Sequence, residues 1–329
     1  MNLRRQNYSY GTKPPVLVIG SSNTDLIIKV ARIPKLGETI LGGEFACAAG
    51  GKGANQAVAA VRAGGEVTFI ARVGRDANGE QALAGFAADG INVKHVVRDA
   101  IFPSGVALIL VDRNGQNCIA VASGANDKLS PADVRRAKGA FRRARIVLLQ
   151  LETPLQTVVA SVALAAAAEV RVVLNPAPAR PLPDQLLKRV YLLTPNESET
   201  DLLTGVMVDN ETTAAKAADQ LLARGVQNVI ITMGSRGAFV AGKGLRQMIP
   251  GFKVKAVDAT GAGDIFNGAL VVVLAEGRPL LEAARFASAA AAISVTRFGA
   301  QPSAPTRKEI QAVLATGKVR PRSKVSRPE

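Results

Sequence analysis

Six short, mostly apolar runs recur along the chain, each stopped by small or polar residues: Val16–Ile19, Val67–Ala71, Ile146–Leu149, Val170–Leu174, Val190–Leu193 and Asn228–Thr232. Runs of four or five residues without polar alternation read as strands buried on both faces, which is the property of a parallel sheet covered by crossover helices. Segments of helical length and patterning separate most of them, including Asn78 to Ala88, Ser130 to Arg143 and Pro154 through Ala168. The sequence therefore predicts an α/β fold, a three-layer α/β/α sandwich around a mostly parallel central sheet. Polar loops follow these strands, as in Ser21-Ser22-Asn23-Thr24-Asp25, Gln150-Leu151-Glu152 and Met233-Gly234-Ser235-Arg236-Gly237. Ligands in open α/β sheets bind at the carboxyl ends of the strands, so these polar groups are expected to gather on one edge.

Two stretches break the rhythm. Leu26–Val30 and Thr39–Cys47 read as strands with Pro34 and Gly37 between them, and Val106–Val111 and Asn117–Val121 are joined by a hairpin-like Asp112–Gln116 turn. These four strands, at about 24–48 and 104–122, are expected to form a small sheet placed to cover a site as a lid. One domain is expected over 15–316, between a basic N-terminal extension, 1–14, and a basic, proline-bearing tail, 317–329; both ends are expected to be disordered. The last third contributes a helix ending near Ala275, another from Pro279 to about Val295, and a short one from Thr306 to Leu314.

Composition excludes several chemistries. His95 is the one histidine, so Ser-His-Asp, Cys-His and multi-histidine metal centres would all rest on it, and any acid–base work falls to carboxylates; His95 itself reads as a strand-edge or surface residue. Cys47 and Cys118 are too few and too far apart for a disulfide framework or zinc site. No signal peptide or membrane span is legible, and a cytoplasmic protein is expected. The net charge of +15 could attract nucleic acid, but aromatics are only 4% and no recognition motif interleaves with the charge. Phosphorylated metabolites are the expected partners, with no specific nucleic acid and no membrane.

The stretch Val257-Asp258-Ala259-Thr260-Gly261-Ala262-Gly263-Asp264 runs into an apolar helix. Small residues let the backbone aim free N–H groups at a ligand, and a helix N-terminus attracts a phosphoryl group. Asp264 then suits a base that takes a proton from an alcohol. The same residues also fit an ordinary loop with an acidic helix start, just as Asn23 and Asp25 fit an ordinary turn after a strand. Neither a Gly-x-Gly-x-x-Gly fingerprint nor a P-loop is present here. A second glycine-rich helix start, Gly50-Gly51-Lys52-Gly53-Ala54-Asn55-Gln56, offers Lys52 and Asn55 as donors.

These two stretches, with Leu149-Gln150-Leu151-Glu152-Thr153-Pro154, Asn175-Pro176-Ala177-Pro178-Ala179-Arg180 and Thr194-Pro195-Asn196-Glu197, together resemble the PfkB family of sugar kinases, in order and spacing, from Val16 to about Leu314. The resemblance implies a homodimer joined through the lids and transfer of the ATP γ-phosphoryl group to the 5-hydroxyl of D-ribose. It implies Asn23, Asp25, Gly51, Lys52, Gly53, Asn55 and Glu152 as sugar contacts and Asp264 as the base. On the nucleotide side it implies Asn196, Glu199, Thr232, Gly234, Ser235, Gly237, Gly261, Ala262, Gly263 and Ser288, with Glu199 helping to organise Mg2+ through water. A monovalent-cation site, usually for K+, would draw on Asp258, Thr260, Ser294, Arg297, Gly299 and Ser303, largely through backbone oxygens. Ala259 and Ser288 depart from the family's usual residues. A kinase for deoxyribose, another sugar or a nucleoside is the alternative, and a noncatalytic sugar or nucleic-acid binder a remoter one.

Overall fold

The structure, a computed structural model, describes residues 13–319. The disorder expected of the two ends falls outside the described residues over 1–12 and 320–329. Strand β1 (Pro15–Ile19) explains the layering by itself: Val16 and Val18 enter one apolar core, Leu17 and Ile19 a second on the opposite face. Alternate side chains of one strand feed two cores, as a sheet buried on both faces requires.

From β1 the chain visits the second sheet through β2 (Asn23–Lys29) and β3 (Glu44–Gly50), then returns along helix α1 (Lys52–Arg62), β4 (Glu66–Gly74), α2 (Ala77–Ala88) and β5 (Asn92–Asp99). A second excursion makes β6 (Gly105–Val111) and β7 (Asn117–Ala122). The βα alternation resumes with α3 (Pro131–Arg136), α4 (Lys138–Arg143), β8 (Ile146–Leu149), α5 (Leu155–Ala167), β9 (Arg171–Leu174) and α6 (Asp184–Leu187). It continues through β10 (Leu192–Leu193), α7 (Glu197–Thr204), α8 (Glu211–Ala223) and β11 (Asn228–Thr232) to an antiparallel hairpin, β12 (Gly237–Gly242) and β13 (Leu245–Pro250). Helices α9 (Ala262–Ala275), α10 (Leu280–Ser294) and α11 (Arg307–Thr316) complete the described chain.

The large sheet has the order β13-β12-β11-β10-β9-β8-β1-β4-β5 and is parallel from β11 to β5. Helices α1, α9, α10 and α11 pack on one face around Phe69, Ile146, Leu270 and Ile310, while α3 to α6 and α8 pack on the other around Phe141, Leu149, Leu187 and Leu221. The expected three-layer sandwich is therefore present. The smaller sheet has the order β3-β2-β6-β7 and carries exposed apolar side chains, among them Phe45, Leu108, Ile119 and Val121. Val319, past the αL cap at Gly317, still packs against the first core.

Local differences have local causes. The strand expected from Thr39 begins only at Glu44, because Gly42 and Gly43 hold φ of 86° and 131°, outside the extended range. The helix expected from Ser130 to Arg143 breaks at Ala137, whose N–H bonds three residues back to Val134. His95 lies half-buried on β5, an edge strand of the large sheet. Cys47 and Cys118 are both free and exposed.

Candidate active site

Two helix N-termini meet beyond the carboxyl ends of β1 and β8. Helix α1 starts after Gly51, whose φ of 88° suits glycine, and a Cβ there would lie 2.7 Å from the backbone nitrogen of Asn23. The close approach brings Lys52 to β1's polar extension: Glu152 accepts a bond from the Lys52 backbone N–H at 3.0 Å and one from the Ser21 hydroxyl. Helix α9 starts after Gly261, with φ of 72° and a virtual Cβ 2.6 Å from Ala300. Gly263, one residue inside that helix, is exposed, and a Cβ added to it would meet nothing within 4 Å. The first turn of α9 is therefore open at Gly263, where an anion could approach the helix N-terminus, although the Ala262 N–H is already given to the Ala259 carbonyl at 3.1 Å.

Asp264 stands at the junction. It is 6% exposed, and its two oxygens accept separate amide bonds: Asn55 Nδ2 to Oδ2 and Gln56 Nε2 to Oδ1, both at 2.9 Å. Burial holds its carboxyl above the ordinary carboxylate range, against the pull of Lys52 and the two amides. Lys52 is also largely buried, but Asp264, Glu152 and Glu199 outweigh that and lift its amine above its usual value. Asp25 is pushed up to about 6 by burial first, then by Glu152 and Asp264. The four carboxylates and one lysine thus share a single electrostatic neighbourhood, in which a positive centre is surrounded by acceptors.

Asn23 and Asp25 lie at the start of β2, beside Gly50 of β3. Any side chain at Gly50 would occupy the Asp25 carboxyl, since its Cβ would fall 2.3 Å from both oxygens. Asn126 donates to Asn23 Oδ1 at 2.8 Å, so the Asn23 amide nitrogen is the end left to face a ligand. Asn55 Oδ1 is buried without a hydrogen-bond partner among the described residues. An orphaned acceptor beside a buried carboxylate fits a hydroxyl-bearing ligand that supplies the missing donor.

The residues assigned to the nucleotide lie farther along the same edge. Asn196, beyond β10, pairs in a parallel bridge with Thr232, the last residue of β11, and the turn into β12 carries Gly234, Ser235 and Gly237. Asn196 and Glu199 form a reciprocal helix cap on α7, with bonds of 2.8 and 2.9 Å. Burial keeps the Glu199 carboxyl above its ordinary range against that bond and Lys52. Ser288 is buried on α10, which packs against α9 and β12. Gly53 joins the sugar-side group: its N–H reaches the Ser21 hydroxyl at 3.3 Å.

The third set brackets two adjacent loops. Asp258 accepts from the Thr260 and Gly299 N–H groups, each at 2.8 Å, and although burial opposes it these bonds hold its carboxyl below the ordinary range. Arg297 donates to the Ser303 carbonyl at 3.4 Å and to Glu309, while the Ser294 and Ser303 hydroxyls bond back to Ala291 and Ala300. No group of three or more His, Cys, Asp or Glu capable of holding a metal occurs among the described residues. A single carboxylate held below the ordinary range supplies one negative charge, which suits a monovalent cation better than a divalent one.

Sequence reading left out several residues that complete the site: Ser21 and Asn126 behind the sugar side, and Gln56, Gln150 and Asn175 behind Asp264. Asn175 and Gln150 were visible as polar residues at strand ends, whereas Gln56 carried no local signal within an Ala-rich helix.

A glycine-framed anion pocket, a buried carboxylate and a set of hydroxyl-recognising side chains on an α/β/α sandwich define a kinase for a small polyhydroxy substrate. The chain belongs to the pfkB family of carbohydrate kinases, whose pattern matches residues 13–307. It is 46% identical over 292 residues to a ribokinase of Haemophilus influenzae, covering 89% of this chain and 95% of that one. It is 36% identical over 301 residues to a deoxyribokinase of Salmonella typhi, covering 91% and 98%. Arabidopsis thaliana ribokinase, solved with ribose and ATP, superposes with a TM-score of 0.85 at 34% identity over 92% of this chain and 99% of that one. No helix among the described residues is long and apolar enough to cross a membrane.

Proposed function

We propose that this protein is an ATP-dependent ribokinase, transferring the γ-phosphoryl group of ATP to the 5-hydroxyl of D-ribose to give D-ribose 5-phosphate and ADP. The carrying observation is the Asp264 carboxylate, buried at the N-terminus of α9 beside the open face of Gly263 and held by two amides. Asn23, Asp25, Lys52, Asn55 and Glu152 supply paired donors and acceptors for the sugar hydroxyls, with Gly51 and Gly53 bringing the backbone close. Asp264 removes the 5-hydroxyl proton as the alcohol attacks. The N–H groups of the Gly261–Asp264 helix start, other than that of Ala262, which bonds to the Ala259 carbonyl, stabilise the charge on the transferred group.

The nucleotide is held by Asn196, Thr232, Gly234, Ser235, Gly237 and Ser288. Mg2+, arriving with the ATP phosphates, would be organised through water by Glu199 and neutralises phosphate charge when bound. K+ would sit among the backbone oxygens of Asp258, Thr260, Ser294, Arg297, Gly299 and Ser303, where it steadies the loop that leads into α9. The small sheet acts as the lid, and its exposed Phe45, Leu108, Ile119 and Val121 suit burial against a second copy in a homodimer.

A coupled ADP-release assay over D-ribose, 2-deoxy-D-ribose, other sugars and nucleosides tests the substrate. D-ribose should give the highest kcat/KM; a nucleoside or deoxyribose preferred by tenfold or more would overturn the assignment.

A further inference from the structure

Behind Asp264 lies a directional chain of buried amides. Gln56 is fully buried on α1 and gives both hydrogens of its amide away, to Asp264 Oδ1 at 2.9 Å and to Asn175 Oδ1 at 3.0 Å. Its own oxygen accepts from Gln150 Nε2 at 2.5 Å. Asn175 is fixed in turn, because its Nδ2 donates to the Thr194 carbonyl at 3.1 Å, which leaves its oxygen facing Gln56. An amide presents either two donors or an acceptor to a given neighbour. Gln150 and Asn175 between them permit one orientation of Gln56, the one that aims N–H at the carboxylate.

The surrounding backbone is built to admit this chain. A Cβ at Gly20 would lie 2.0 Å from Gln150 Oε1, and one at Gly268 would lie 2.5 Å from the main-chain carbonyl of Gln56, so the second glycine lets α9 approach the turn of α1 that carries Gln56. Gln150 Oε1 is itself buried without a partner among the described residues. That is a cost accepted so that its nitrogen, not its oxygen, meets Gln56.

We propose that Gln56 is a positioning residue for phosphoryl transfer: held in one orientation by Gln150 and Asn175, it fixes the Asp264 carboxylate as an ionised acceptor with its remaining lone pairs turned to the sugar hydroxyl. The inference rests on Asp264 being the base. Asn55 alone, donating to Oδ2, would leave the carboxylate free to rotate about that contact; a second donor on Oδ1 removes the rotation. A hydrogen bond to the charged form also keeps the base deprotonated in a buried setting that disfavours charge. The other charged groups in electrostatic reach are Lys52, which favours ionisation, and Glu152, Asp25 and Glu199, which oppose it.

The test is the pH dependence of kcat at saturating D-ribose and MgATP in the full-length chain, with Gln56→Met, Gln150→Met and the double variant. Methionine keeps the side-chain length and removes the amide. Gln56→Met should move the acid limb of kcat up by roughly one pH unit, because losing a donor to the charged form raises the pKa of the base. KM for ATP should stay within about twofold. Gln150→Met should shift the limb in the same direction by less, and should add nothing in the Gln56→Met background, as expected of residues acting through one path. Asp264→Asn, run alongside, separates the two levels of the argument: if it retains near-normal turnover, the base assignment fails. If it is inactive while Gln56→Met or Gln150→Met folds with the wild-type acid limb, the positioning role alone is overturned. Should Gln56→Met fail to fold, the Gln150→Met limb decides.

Discussion

Asn55 Nδ2 lies 2.9 Å from Asp264 Oδ2, a bond between the first turns of two helices 209 residues apart in sequence. It ties the glycine-rich start of α1 to that of α9, so under the proposed function one side chain serves both sugar recognition and proton removal. The Asn55 oxygen is buried without a partner among the described residues, which leaves it for the proposed ligand, while its nitrogen donates to Asp264. Asn55→Ala should therefore lower kcat/KM for D-ribose by about 10- to 100-fold, since a hydrogen bond to a charged group is worth ~1.5–3 kcal/mol. Steady-state kinetics check this, and a loss under threefold would contradict it.

Asp25 carries an electrostatic cost. Its carboxyl is pushed up to about 6, so ionising it in the folded protein opposes folding, and the deficit opens as pH rises from the unfolded value near 4 and is complete above about 6. Asp25→Asn removes that deficit. At pH 8 the variant should be more stable by about 1–2 kcal/mol, a figure discounted for the partial exposure of the group, and the gain should vanish at pH 4. Its KM for D-ribose should rise at least tenfold over the same neutral range. Denaturant unfolding at both pH values is the measurement; equal gains at pH 4 and 8 would remove the electrostatic explanation.

Two glycines should respond in opposite ways. Gly51→Ala places a Cβ against the backbone of Ser22 and Asn23 at a φ of 88°, and should cost about 2–4 kcal/mol of stability. Gly263→Ala meets no atom within 4 Å and lies in a helix, so stability should hold or rise by ~0.5–1 kcal/mol. Its methyl would nevertheless enter the space assigned to the phosphoryl group, and kcat/KM for ATP should fall at least tenfold. Unfolding curves and kinetics on the same preparations resolve the two effects.

Much of this arrangement is legible in the sequence because parallel strands announce themselves. Val16–Ile19 and Ile146–Leu149 are continuous apolar runs, and each delivers a polar loop to the same edge, which places Asn23, Asp25 and Glu152 together, while the resemblance to the family adds Asp264 to them. What escaped detection depends on distance in sequence. Gln56 follows Asn55 in a helix of alanines, and nothing local distinguishes it from a polar residue at a helix surface; only the approach of Gln150, Asn175 and Asp264 gives it partners. The pair β12–β13 was passed over for a related reason. Ala238–Gly242 is a buried apolar run like the parallel strands, but the following strand alternates weakly and its antiparallel pairing is set in three dimensions. The break at Ala137 likewise leaves no mark, since alanine favours unbroken helix.

The loops around Asp258 yield a cation prediction. With its carboxyl held below the ordinary range by the Thr260 and Gly299 N–H groups, Asp258 stays ionised across the working pH. Replacing potassium chloride by tetramethylammonium chloride at constant ionic strength should lower kcat several-fold, and Asp258→Asn should raise the K+ concentration needed for half-activation by about tenfold. Activity indifferent to the cation would remove K+ from the account.

The central claim is that the Asp264 carboxylate takes the proton from the sugar alcohol, and Asp264→Asn tests it most directly because asparagine keeps the shape and removes the base. With D-ribose and MgATP, kcat should fall by about 10^2- to 10^4-fold while KM for D-ribose changes by less than about threefold. Turnover within tenfold of wild type would contradict the account.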